Sequence, residues 1–165
     1  MAWTTLGTVA PGDVLRANSG TAAYNNVIGN LDEFSNLFAA GTSWTPAIAQ
    51  NGARTSTNTQ SRYFKIGRLV HAYAIVTITQ AGSGGNVIAC SLPFAAAFTS
   101  DAAIGTFIYF QTSGTRHQGA VLSNTSFGGS AIFHTNANNA LGNTPNIATA
   151  NGDTLRFTVT YEASS

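Results

Sequence analysis

From Thr154 to Glu162 the sequence alternates strictly between apolar and polar residues, and this pattern limits the fold more than any other feature of the chain. Leu, Phe, Val and Tyr occupy one set of positions, and Arg, Thr and Glu occupy the other. Because successive side chains of a β-strand point to opposite faces, the pattern predicts a strand with one buried and one solvated face. The Asn-Gly-Asp sequence at 151–153 supplies a turn before it.

Comparable short segments, separated by clusters of Gly, Asn, Ser and Pro, recur through residues 41–165. Many short strands at this spacing are typical of two-layer all-β folds. We therefore predict a mainly β protein whose residues 41–165 form a β-sandwich or jelly-roll-like domain. The predicted strands are Trp44–Ala49, Arg62–Ile66, Leu69–Thr79, Asn86–Leu92, Thr106–Thr112, Gln118–Leu122, Ala131–Thr135 and Thr154–Glu162.

The segment from Ser61 to Thr79 concentrates three basic residues in a chain of low charge. It also contains two strand patterns separated at Gly67, which offers the positive φ that a tight reversal needs. We interpret it as a hairpin with its cations, Arg62, Lys65 and Arg68, at the rim, rather than as a site for an anionic partner. The second strand is largely apolar on both faces, which predicts a central strand or one covered by a neighbouring subunit.

Residues 1–40 lack the alternating pattern of the rest of the chain. We predict that they form an N-terminal unit of an extended arm and one short helix. Apolar residues at spacings of three and four place a seam on one face of that helix, about two heptads long. A short seam needs a partner surface, which is either the body of the same chain or identical helices of other subunits. The candidate oligomer-interface residues are Tyr24, Val27, Leu31, Phe34 and Phe38, and the candidate anchoring residues of the arm are Trp3, Leu6 and Val9.

The composition excludes several classes of protein. Only 8% of the residues are charged and 44% are hydrophobic, so the chain is not intrinsically disordered. The formal net charge of +1 disfavours a nucleic-acid partner. The N-terminus lacks a signal-peptide pattern and no run is long enough to span a membrane, so we expect a chain that is made and kept soluble without export and without membrane insertion. Cys90 is the only cysteine, and its apolar context predicts a buried structural thiol.

Residues that could perform catalysis are few and scattered. Asp101 and Asp153 are the one carboxylate pair in the β region that loops could bring together for hydrolysis. His71, His117 and His134 do not have the spacing of a zinc motif, although copies of one histidine around a three-fold axis would offer a metal or anion site. We therefore expect no catalytic residues, no metal and no cofactor, and thus a protein that is not an enzyme.

Four stretches resemble parts of a known family. MAWTTLGTVAPGDVLRANSGTAAYNNVIGNL resembles the openings of many structural proteins of tailed bacteriophages, and WTPAIAQNG, RYFKIGRLVHAYAIVTIT and SGGNVIACSLPF resemble the β domain often found at their C-termini. The resemblance covers residues 1–94 and the last strand, and the order of the motifs makes it persuasive. It implies a virion component that is assembled in the host cytoplasm, is commonly trimeric, and carries no catalytic residue.

Two functions follow as expectations, and a third stays open. The first is a non-enzymatic virion protein, either tail-fibre-like and attaching to the host or a decoration protein of the capsid, which binds other virion proteins through residues 1–40. The second is a carbohydrate-binding module that binds a host surface glycan through Asn side chains and loop residues such as Phe127 and His117. The third is a hydrolase that uses Asp101 and Asp153.

Overall fold

The computed structural model describes residues 41–97, 102–124, 130–136 and 139–164. Within these ranges every regular element is a β-strand, which confirms the mainly β prediction. The predicted arm and helix lie outside the described residues, and so do the proposed interface and anchoring side chains, Trp3, Leu6, Val9, Tyr24, Val27, Leu31, Phe34 and Phe38.

Eleven strands form one hydrogen-bonded sheet. They are β1 Thr42–Ser43, β2 Ile48–Ala49, β3 Ala53–Arg54, β4 Ser56–Ile66, β5 Leu69–Ile78, β6 Ala89–Cys90, β7 Ala102–Phe110, β8 Arg116–Asn124, β9 Ser130–Asn136, β10 Asn139–Ala140 and β11 Thr154–Glu162. Ten of them follow the spatial order β1-β4-β5-β11-β7-β8-β9-β6-β2-β3, and β10 pairs with β9. All of the pairs are antiparallel.

The sheet is strongly curled, as its connections require. Strands β1 and β2 are eight positions apart in the sheet, which would be roughly 38 Å in a flat sheet. Only residues 44–47 join them, and the five residue steps from Ser43 to Ile48 span at most about 17 Å. Thr55 alone joins β3, at one end of the order, to β4, near the other end. The two ends of the sheet therefore lie close together.

The concave inner face of the curled sheet carries the hydrophobic core. Phe157 of β11 packs against Phe133 of β9 with ring centroids 5.5 Å apart, although two strands lie between β11 and β9 in the sheet. Phe107 contacts Phe133 at 5.2 Å, and Trp44 contacts Phe157 at 6.3 Å. Ring contacts between non-adjacent strands arise because curling turns one apolar face inward. The packing of two separate layers, as in a sandwich or jelly roll, stays a prediction.

Several strand predictions are confirmed. Strand β11 has the predicted bounds, and its Leu, Phe, Val and Tyr side chains are buried while the alternating positions are more exposed. Strands β4 and β5 form the predicted hairpin, with φ of 58° at Gly67. Strand β5 is central, between β4 and β11.

Other strand predictions were wrong in extent. Trp44–Ala49 is not one strand, because residues 44–47 cross between the ends of the sheet and only Ile48–Ala49 pairs there. Asn86–Leu92 shortens to Ala89–Cys90. Strand β4 begins at Ser56 and not at the predicted Arg62. Its backbone pairing with β5 extends through a polar stretch that has no apolar alternation.

Candidate functional site

The outward face of the three strands β5, β11 and β7 carries an open depression that we call the outer groove. It encloses about 310 Å³, at the low end of the range of about 300–1,000 Å³ typical of small-molecule sites. Four of its side chains are exposed and two are half-buried. The outward-facing residues that define it are Tyr73, Ile75, Thr106, Ile108, Arg156 and Thr158.

Strand register explains why these side chains meet. Residues on one face of a strand recur every second position, and directly opposed residues of an antiparallel pair hold their Cβ atoms about 5 Å apart. The alternation of β11 sends Arg156 and Thr158 outward between the two neighbouring strands. The two resulting cross-strand rows are Ile75–Arg156–Ile108 and Tyr73–Thr158–Thr106.

The outer groove combines apolar and hydrogen-bonding surface. Ile108 is 39% exposed, although it lies in a central region of the sheet. The Tyr73 hydroxyl accepts a hydrogen bond from Gln60 Nε2 at 3.3 Å, so the ring is tied to β4 at its polar end. Threonine hydroxyls and one guanidinium group complete the lining. Such a surface can bind a ligand that has both C–H surface and hydroxyl or acidic groups.

Two arginines share one aromatic ring at the end of the groove. The guanidinium carbon of Arg156 lies 4.9 Å from the centroid of Phe110, and that of Arg116 lies 5.2 Å from it. Phe110 is opposite Arg116 in the β7–β8 pair, and Arg156 reaches it from the adjacent row. We call Arg116 and Arg156 the arginine pair. Contact with the ring restricts two long side chains that would otherwise be mobile.

The described carboxylates do not neutralise the arginine pair. Asp153 and Glu162 are the two acidic residues within the described ranges. Asp153 is buried, and Glu162 forms an ion pair with Arg68 at 3.1 Å. Across residues 41–97, 102–124, 130–136 and 139–164, this is the one ion pair between side chains. The arginine pair therefore presents two positive charges on an exposed face.

The basic residues singled out in the sequence have a different role. Arg68 also donates from Nε to the carbonyl of Ala163 at 2.9 Å, so it fastens the hairpin turn to the end of β11. The Lys65 amino group lies 4.3 Å from the centre of the Phe94 ring. These contacts support the interpretation of this segment as a hairpin whose cations make structural contacts at its rim.

Asp153 lies in a buried hydrogen-bonded cluster rather than in an open site. Its Oδ1 accepts from the backbone N and the hydroxyl of Thr112 at 2.9 and 3.2 Å. Its Oδ2 accepts from the backbone N of Ala150 at 2.8 Å and from the hydroxyl of Tyr109. Four donors from three segments thus converge on one carboxylate and hold two turns together. Burial is the largest of the causes that raise the pKa of Tyr109, and the hydrogen bond to Asp153 raises it further. The Tyr109 hydroxyl therefore stays protonated.

The proposed hydrolytic pair is not visible as a pair, since Asp101 lies outside the described residues. Asp153 is fully buried, and its side-chain hydrogen bonds go to Thr112, Tyr109 and Ala150. A second buried hydroxyl, that of Tyr161, donates to the carbonyl of Phe94 at 2.8 Å, and burial raises the pKa of Tyr161 to about 12.

The histidines and the cysteine are dispersed. His71 is exposed on the outward face and its Nδ1 lies 2.9 Å from the Thr160 hydroxyl, whereas His117 Nε2 lies 3.1 Å from the side-chain oxygen of Gln111. No group of three metal-ligating side chains occurs among the described residues. Cys90 is buried and free, and burial raises its pKa, which confirms the predicted buried thiol.

Comparisons with protein-family models, with curated proteins and with solved structures find no match to this chain. In the part of the chain that the structure describes, no helix is long and apolar enough to cross a membrane. Since no comparison matches, the function of the outer groove is inferred from its own residues.

Sequence reasoning missed the outer groove and the arginine pair. The signal available in advance was the alternation of β11, which already placed Arg156 on a solvated face. The partner positions depend on the β5–β11 and β7–β8 registers, which no local pattern specifies. Of the loop residues proposed for glycan binding, His117 is half-buried at the start of β8, and Phe127 lies outside the described residues.

Proposed function

We propose that this chain is a non-enzymatic structural protein of a tailed bacteriophage, exposed on the virion and used for attachment to the host cell. Residues 1–40 bind other virion proteins and bring identical subunits together, most simply as a homotrimer. The β body of residues 41–165 is then presented outward. In this proposal the curled sheet is a jelly-roll-like body, a form that the ring contact between Phe133 and Phe157 supports.

The observation that carries the proposal is the outer groove. It lies on the central strands of the sheet, where backbone pairing on both sides of β5, β11 and β7 fixes the backbone positions from which the side chains project. Its lining offers ring, methyl, hydroxyl and guanidinium groups, which suit the binding of a ligand such as a host surface glycan. The order of the phage-like sequence motifs gives the binding surface its biological setting.

A competition experiment tests attachment. The full chain is added to host cells before the phage that encodes it, and adsorption of particles is measured. We expect the wild-type chain to reduce adsorption and the Ile108→Glu variant, which places a carboxylate in the outer groove, to lose that effect. Ile66→Glu is the matched control, because Ile66 is 50% exposed at the tip of the hairpin and away from the groove.

The alternative is a capsid decoration protein, which would be bound to the particle without contacting the host. Undiminished adsorption in the presence of saturating wild-type chain would favour decoration and contradict attachment. If the Ile66→Glu and Ile108→Glu variants lose competition equally, attachment does not depend on the outer groove.

A further inference from the structure

We infer that the arginine pair and the outer groove together bind an acidic saccharide, with the carboxylate of a sugar at the arginines and the sugar ring in the groove. This inference deepens the proposed function, on which it rests for its biological setting, because it names the class of ligand at the attachment surface.

Charge is the first reason to expect an anion at the arginine pair. Arg116 and Arg156 both contact Phe110, so two like charges are held near one ring. Like charges repel each other, and neither described carboxylate is in ion-pair contact with them. An anion bound at either arginine would offset this repulsion, so the charges favour an anionic ligand at this point.

The second step is the geometry of the guanidinium group. Its planar fork matches a carboxylate through two parallel N–H···O bonds, and such charge-assisted bonds are stronger than neutral ones. Contact with Phe110 restrains both side chains before a ligand arrives. Less conformational entropy is then lost on binding, which raises the affinity of an exposed site.

The third step is the surface beside the charge. Arg156 belongs both to the arginine pair and to the outer groove, so a ligand that extends from the carboxylate enters the groove. There it meets Ile108 and Tyr73, whose apolar surface suits the C–H face of a sugar. Thr106 and Thr158 lie in the same cross-strand row as Tyr73, and their hydroxyls suit the hydroxyl groups of the sugar. A simple inorganic anion would use the arginines alone.

Calorimetric titration of the full chain tests the inference. The probes are oligogalacturonate, oligosialic acid and hyaluronate oligomers, and the neutral counterpart is fully methyl-esterified oligogalacturonate. We expect at least one carboxylated probe to bind, with an affinity that falls as salt is added. The methyl ester is expected to bind at least about tenfold more weakly than the free acid, since the charge-assisted bonds to the arginines are absent.

Matched variants assign the binding to the arginine pair. Arg116→Gln and Arg156→Gln are each expected to lower the affinity by about tenfold or more. Arg68→Gln removes the same charge from the hairpin rim and is expected to leave the affinity unchanged. Arg156→Lys keeps the charge but loses the planar fork, so it is expected to bind with intermediate affinity. Circular dichroism establishes that each variant is folded.

Three results would overturn the inference. The first is that no carboxylated probe binds more tightly than the methyl ester. The second is that Arg68→Gln and Arg156→Gln lower the affinity equally. The third is a change of subunit number in Arg116→Gln or Arg156→Gln, measured by sedimentation equilibrium. The last would identify this face as a contact between copies of the chain.

The two proposals fail separately. If the carboxylated probes do not bind although the chain still blocks adsorption, the acidic ligand is overturned and attachment stands. If the probes bind and adsorption is unaffected, the binding site stands and attachment is overturned.

Discussion

Asp153 shows how a single carboxylate can organise a body that has few charges. Two donors converge on each of its oxygens, from Thr112 on one side and from Tyr109 and Ala150 on the other. Because the carboxylate accepts only, all four donors are satisfied without competition. The residue therefore stabilises the turn before β11 and the turn after β7 at the same time.

The first prediction concerns this cluster. Asp153→Asn replaces one oxygen by an NH₂ group, which faces two donors and accepts from neither. We expect the free energy of unfolding to fall by about 3 kcal/mol, measured by urea denaturation, since buried donors are left unsatisfied. Glu162→Gln is the control, and it should cost no more than about 1 kcal/mol because both partners of that ion pair are half-exposed. Equal stability of the Asp153→Asn variant and the wild type would refute the structural role.

At the scale of elements, the alternation of β11 and the glycine at the hairpin turn predicted structure well because both signals are local. A strand with one buried face must keep its register, and Gly67 has the backbone conformation that its turn requires. The polar half of β4 and the two-residue strands β3 and β10 escaped prediction because backbone pairing alone defines them. Periodicity in side chains carries no information about such pairing.

The candidate site was less predictable than the fold. Arg116 and Arg156 are far apart in sequence and meet only because β7 lies between β8 and β11. The sequence drew attention instead to the cluster at residues 62–68, where charges are adjacent along the chain but Arg68 is paired with Glu162. Functional side chains that different strands contribute can be identified only when strand order and register are known.

A second prediction belongs to the N-terminal unit. Removing residues 1–40 should abolish binding of the chain to phage particles, because the proposed function assigns the contacts with other virion proteins to the predicted arm and helix. The truncated chain should keep its β-sheet spectrum, because Thr42–Ser165 forms a compact unit by its own backbone contacts. Particle binding is measured by co-sedimentation. Retention of the truncated chain on particles would place the anchor in the β body instead.

The molecule as a whole combines low charge with an unusual distribution of the charge it has. Arg68 is paired with a carboxylate and Arg54 donates to backbone carbonyls, while the arginine pair faces outward beside a groove. A net charge of +1 gives no general attraction to polyanions. Recognition of an acidic saccharide would therefore depend on local geometry, which favours selectivity over non-specific adhesion.

The proposed setting on a virion would make two demands on the chain, which are stability and affinity. Cys90 is the one cysteine of the chain, so a body exposed on a virion would depend on sheet pairing and packing for its stability and not on an internal disulfide. Assembly with identical copies through residues 1–40 would repeat the outer groove around an axis. Several weak sites that engage one polysaccharide together gain avidity without any new contact.

The position of the chain in a cryo-electron microscopy reconstruction of the intact phage particle decides whether it is an exposed virion protein. We expect density for the curled β body on the outside of the particle, repeated around a three-fold axis, with the outer groove facing solvent. Purified particles that lack the chain, while infected cells contain it, would show that it is not a virion component.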